Sequence, residues 1–177
     1  MKKLVLGSAI LAVLGMTSTA MAANSGTVNF TGAVSTATCN LAVKDSAGGD
    51  ISSVDLGVLS STATTDGTAA TFKLVPAEQT CLSKTNATLT WSSPTLTSTG
   101  LSNAAVNGTN ATMVLTASNS TAQNPNNIVK QGNTSFDYNV TGGIKSFDYA
   151  AKMMRPATGA LTAGPFSASA SYIVAYK

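Results

Sequence analysis

Apolar and polar residues alternate with a period of two along most of this chain, in short runs. Val28, Phe30, Gly32 and Val34 alternate with Thr27, Asn29, Thr31 and Ala33. Cys39, Leu41 and Val43 follow, then Val54, Leu56 and Val58. Phe72 and Leu74 precede Pro76, which ends or edges their strand. Ala87, Leu89 and Trp91 lie before Pro94, and Met113 and Leu115 sit in a Thr-rich run. Phe136, Tyr138 and Val140 form another set, and Phe147, Tyr149, Ala151 and Met153 a further one before Arg155 and Pro156. Alternation of this kind puts one face of a strand in a core and the other in water. Turn residues fall between the runs, at Thr99-Gly100, Asn107-Gly108, Asn124-Pro125-Asn126-Asn127, Gly142-Gly143 and Thr158-Gly159. Short strands at this spacing predict an all-β sandwich.

Composition supports strands over helices. The chain is 44% hydrophobic but only 10% charged, against roughly 25% in ordinary soluble domains. Helices dress their outer faces with Lys and Glu, so the polar surface here must come from Ser, Thr and Asn, which suit strands and turns. The absence of His excludes Ser-His-Asp and Cys-His catalysis and His-based metal sites.

The first segment reads as a leader. Met1-Lys2-Lys3 is basic, residues 4–16 are apolar and uncharged, and Ala20-Met21-Ala22 offers the A-x-A exit of a secretory signal peptide. The apolar run is shorter than the roughly 20 residues of a membrane-spanning helix. Residues 1–22 are therefore expected to be cleaved, leaving 155 residues with eight basic and seven acidic side chains. A nearly neutral protein has no electrostatic footprint for nucleic acid. In an exported chain, the two cysteines Cys39 and Cys81 are expected to form one disulfide, the alternative being two free buried thiols. The bridge would close about 43 residues and contribute about 4 kcal/mol on a chain-entropy model.

Little else suggests chemistry. The seven carboxylates form no recognisable motif, no EF-hand loop and no phosphate-binding glycine loop occur, and nothing calls for a cofactor, so an enzyme is not expected. Lys145, Lys152 and Arg155 are expected to cluster near the end of the penultimate strand and its following loop. They are candidates to contact a sialylated glycan, with solvated surface charge as the plainer alternative.

The two ends say more. Phe166, Ala168, Ala170, Tyr172, Val174 and Tyr176 share one face of a final strand that runs to the end of the sequence. A last strand with no sequential partner exposes an edge and an apolar face that something must cover. Here the residues resemble a family. Gly26-Thr27-Val28-Asn29-Phe30-Thr31-Gly32 is similar to the N-terminal extension of pilin subunits of bacterial chaperone–usher fimbriae, and Cys39 follows as their first cysteine does. Val54-Asp55-Leu56-Gly57, Phe72-Lys73-Leu74 ahead of Cys81, and Phe147-Asp148-Tyr149-Ala150-Ala151 resemble pilin strands in order. Gly164, fourteenth from the end, and Tyr176, next to last, match the C-terminal pattern. The sequence looks nearest to major subunits of thin enterotoxigenic-type fimbriae.

That resemblance implies an incomplete immunoglobulin-like sandwich lacking its last strand. Residues 23–35 would be a donor-strand extension and residues 36–177 the pilin domain. A periplasmic chaperone would lend a strand to the open groove. At the outer-membrane usher the next identical subunit's extension would replace it, building a homopolymer on the cell surface by strand addition. Val28, Phe30 and Val34 would be donor side chains, with Gly32 the small residue that permits exchange. Gly164, Phe166, Tyr172, Val174 and Tyr176 would line the groove edge, and the carboxylate of Lys177 would meet basic groups of the chaperone. The subunit would be structural and support adhesion to host cells. Alternatives are a minor subunit, or a subunit that itself binds a host glycan.

Overall fold

The computed structural model describes the backbone of residues 26–32 and, with side chains, residues 40–77, 84–121 and 127–177. The leader, both cysteines and Val34 lie outside the described residues, and with them the expected cleavage and disulfide. Among the described residues there are eleven strands and no helix: β1 (Gly26–Gly32), β2 (Leu41–Asp45), β3 (Ser53–Asp55), β4 (Ala70–Pro76), β5 (Asn86–Ser92), β6 (Leu101–Ser102), β7 (Thr112–Ala117), β8 (Ile128–Val129), β9 (Ser135–Asn139), β10 (Phe147–Met154) and β11 (Phe166–Tyr176).

They form two open sheets. One has the order β3-β1-β11-β5-β9; the other runs β2-β4-β10-β7-β6, with β8 also paired to β7. The pairings are antiparallel except for β1 on β11, which is parallel. The result is an all-β sandwich of immunoglobulin-like type, as the alternation predicts.

Alternating burial along each long strand makes the core. Along β10 every second residue from Phe147 to Met153 is buried, and along β11 every second residue from Phe166 to Val174. The predicted rows at Phe72 and Leu74, at Ala87, Leu89 and Trp91, and at Met113 and Leu115 all face inward. Two details differ. Val58 is 70% exposed rather than in line with buried Val54 and Leu56. The cause is Gly57, whose φ of +69° breaks the pleat while its N–H is taken by Asp55 Oδ1 at 2.8 Å. The two-residue strands β6 and β8 carry no readable period, and they exist because β7 offers them an edge.

Aromatic side chains tie the sheets together. Trp91 of the first sheet meets Tyr149 of the second edge-on at 5.0 Å, and Tyr138 meets Phe147 likewise at 4.8 Å. Between these contacts the Tyr138 hydroxyl donates to the Tyr149 hydroxyl at 2.6 Å, so each buried phenol has a partner across the sandwich.

Burial pushes both phenols well above their ordinary value. An unfolded tyrosine ionises near pH 10. A folded-state value raised above the unfolded one leaves stability intact below about pH 10 and removes it as pH rises further. The urea midpoint is therefore expected to hold from about pH 7 to 9 and fall above about pH 10. A Tyr138→Phe/Tyr149→Phe double variant, which strands neither hydroxyl, should fall less steeply in the same titration.

Candidate functional site

The site is a slot one strand wide. In the first sheet β3 and β11 do not touch; β1 lies between them, antiparallel to β3 and parallel to β11. With strands spaced about 4.8 Å apart, that gap spans about 10 Å between β3 and β11. The short β3 makes one wall, with Val54 buried, and the eleven-residue β11 makes the other.

The register shows how the slot is filled. Gly26 pairs with Phe166, Val28 with Ala168, Phe30 with Ala170 and Gly32 with Tyr172. Val28 also pairs with Val54 across the slot. Ala168 and Ala170 are buried and small, and Val28 and Phe30 are the residues registered against them. Asn29 is paired with Ser169, which is exposed. The segment expected to reach a neighbouring subunit thus lies in this chain's own sheet.

The described part of β1 stops at Gly32, opposite Tyr172. Among the described residues no strand is registered against Ile173 to Tyr176 on that edge. Tyr172 and Val174 are buried, and Ile173, pointing outward, is 49% exposed. The Tyr172 hydroxyl donates to the Leu41 carbonyl at 3.4 Å, reaching the edge of the second sheet. Among the described residues the buried Tyr176 hydroxyl has no hydrogen-bond partner, and burial pushes its pKa up to about 12. Burial also raises that of Tyr172. The Lys177 carbonyl oxygen accepts from the N–H groups of Thr85 and Asn86, both at 3.2 Å, so the end of the chain is zipped to the start of β5.

Gly164 has a steric reason. Its φ is +152°, and a Cβ there would lie 2.7 Å from the Gly108 carbonyl carbon and 2.7 Å from the Thr109 nitrogen. Two loops pass backbone against backbone at the base of β11, which only glycine permits. The same corner contains Asn103, whose amide bonds both loops; the sequence pattern did not distinguish it from the other asparagines.

The three basic residues do not form one cluster. Lys145 precedes the start of β10 and Lys152 lies near its end, about 23 Å apart along an extended strand. Lys152 and Arg155 do converge, on Asp66: Lys152 Nζ lies 3.9 Å from its Oδ2, and the Arg155 backbone N–H donates to its Oδ1 at 3.0 Å. The Arg155 guanidinium donates to the Thr64 carbonyl at 3.2 Å, while its buried Nε has no partner among the described residues. Among the described residues no group of His, Cys, Asp and Glu could hold a metal.

The fold is an open all-β sandwich of immunoglobulin-like type in which β1 lies between β3 and β11. No protein-family model matches the sequence. The chain is nevertheless 35% identical to the K99 fimbrial protein of Escherichia coli, over an alignment of 185 positions covering 99% of each chain. It belongs to that family of fimbrial proteins.

Substituting Gly164→Ala is expected to destabilise the fold by about 1–3 kcal/mol, because the methyl group meets backbone that cannot swing away. Urea unfolding of the variant beside wild type checks this.

Proposed function

We propose that the protein is the structural subunit of a bacterial surface fimbria, polymerised by donor-strand exchange through the chaperone–usher pathway and supporting adhesion. The observation that carries this reading is the slot between β3 and β11, occupied by the N-terminal segment rather than by a strand following β11. A slot filled by a segment at the chain's start can be filled equally by the same segment of another copy. Seven backbone pairings and the side chains of Val28 and Phe30, each contributing about 1.5–3 kcal/mol when fully buried, make the exchange nearly thermoneutral. In an isolated chain the tether favours self-insertion through its high effective concentration.

Assembly therefore needs a partner that keeps the slot open to others. A periplasmic chaperone lending a strand to β11 does this, and the usher then passes the slot to the extension of the next subunit. Residues 23–35 act as donor, with Val28, Phe30 and Val34 inserted and Gly32 as the small exchange position. Gly164, Phe166, Tyr172, Val174 and Tyr176 form the receiving edge, with Lys177 at its end. A filament closed in this way persists kinetically, because every subunit must lose a whole strand to leave. The function is structural rather than enzymatic, and the subunit reaches the cell surface through the periplasm.

A second reading adds direct glycan binding. Lys152 borders an open trough of about 530 Å³ on the outer face of the second sheet, lined by Val114, Ile128, Ala150 and Met154. Its ammonium group is only loosely matched by Asp66 at 3.9 Å and is available to an anionic sugar.

Phe30→Asp is expected to leave subunits that bind chaperone but do not donate a strand. Material sheared from producing cells should then lack the high-mass species that, in wild type, collapses to monomer only on boiling; a normal ladder from the variant overturns the donor role of Phe30. Lys152→Glu is expected to abolish attachment to sialylated cells with filaments intact, whereas Lys145→Glu, at the other end of β10, should attach as wild type does.

A further inference from the structure

The last strand is held differently along its two halves. From Ser171 to Tyr176 it is paired with β5. From Phe166 to Ala170, no strand is registered on that edge among the described residues. There its backbone is met by loops: Ala104 N–H donates to the Ser167 carbonyl at 2.8 Å, Ser167 N–H donates to Asn103 Oδ1 at 2.9 Å, and Ser93 Oγ donates to the Ser169 carbonyl at 2.6 Å.

Asn103 is the centre of this arrangement. Its Oδ1 accepts from Ser167 N–H and from Ala105 N–H, both at 2.9 Å. Its Nδ2 donates to the Thr109 and Pro165 carbonyls, both at 2.8 Å. The side chain therefore joins the loop before β7 to the turn that starts β11, using every hydrogen-bonding position of its amide. A Cβ on Gly108 would stand 2.2 Å from that Nδ2, so the loop must be glycine where the amide passes.

We propose that Asn103 is the positioning residue of the strand-accepting edge, holding the half of β11 that receives an incoming strand but has no permanent sheet partner. The slot occupant pairs with Phe166 to Tyr172, overlapping the part held by β5 only at Ser171 and Tyr172. A half-strand without a neighbour on either edge would fray whenever the slot is empty. Asn103 ties this half-strand down at Ser167 and Pro165, its base, while Ala104 and Ser93 meet it further along. This inference rests on the reading of the slot as a strand acceptor.

Hydrogen exchange read by mass spectrometry on the full exported chain tests it, together with uptake of a fluorescent synthetic peptide copying residues 26–32. In Asn103→Ala, amides of residues 166–170 are expected to exchange at least tenfold faster, the size of effect of a lost hydrogen bond. Residues 171–176 and β10 should keep wild-type rates, and peptide uptake should slow by a similar factor. Asn103→Asp, which turns a carboxylate oxygen onto the Thr109 and Pro165 carbonyls, should fail to restore protection at Ser167. Faster exchange spread over both sheets, or unchanged exchange at 166–170, overturns the proposal. A Phe30→Asp chain, whose own β1 competes poorly for the slot, that takes up no peptide overturns the strand-accepting reading itself, while the exchange pattern still judges the clasp. If Asn103→Ala does not fold, Ser93→Ala removes one bond from the same half-strand and should show the same local pattern on a smaller scale.

Discussion

Everything in this molecule depends on one unmet need, the backbone edge of β11. A strand that buries every second side chain cannot leave its N–H and C=O groups unpaired at low cost. In most sandwiches the neighbouring strand follows in sequence. Here the wall across the gap is the three-residue β3, too far away to pair directly, and the missing strand is supplied from the opposite end of the chain. The parallel direction of β1 on β11 follows from this, since hairpin-connected neighbours are antiparallel. The edge is satisfied by a segment distant in sequence, held there by strand pairing and not by a hairpin.

The rest of the fold acts as a rigid frame for that edge. Trp91 packs edge-on against both Tyr149 of the other sheet and Tyr172 of β11, at 5.0 and 5.5 Å, so the slot wall is keyed into the deepest part of the core. The paired phenols of Tyr138 and Tyr149 satisfy each other where water does not reach. The small side chains Ala168 and Ala170 are buried on the wall, where β1 is registered against them.

The long strands were legible because a period of two survives wherever one face is buried and the other is wet. Phe72 with Leu74, Leu89 with Trp91, and the alternate residues of β10 all lie where the alternation puts them. Legibility failed where tertiary context overrides the period. Gly57 turns the backbone and sends Val58 to solvent, and the pairs at β6 and β8 are too short to show a pattern. Residues close in sequence were not always close in space: an extended strand carries Lys145 and Lys152 to opposite ends of a sheet, while Asp66, far earlier in the chain, meets Lys152 and Arg155.

By itself the sequence determined the sandwich class and the long strands that build it, because these depend on local alternation and on the order of segments. It could also mark Gly164 as unusual, but not say why. Only the tertiary structure decided that β1 lies parallel to β11 against β3, that Gly164 passes Gly108 backbone to backbone, and that Asn103 rather than another asparagine holds the strand base. Those facts depend on which distant segments meet. A side chain's role as a clasp is set by the four groups around it, and no period along the chain records them.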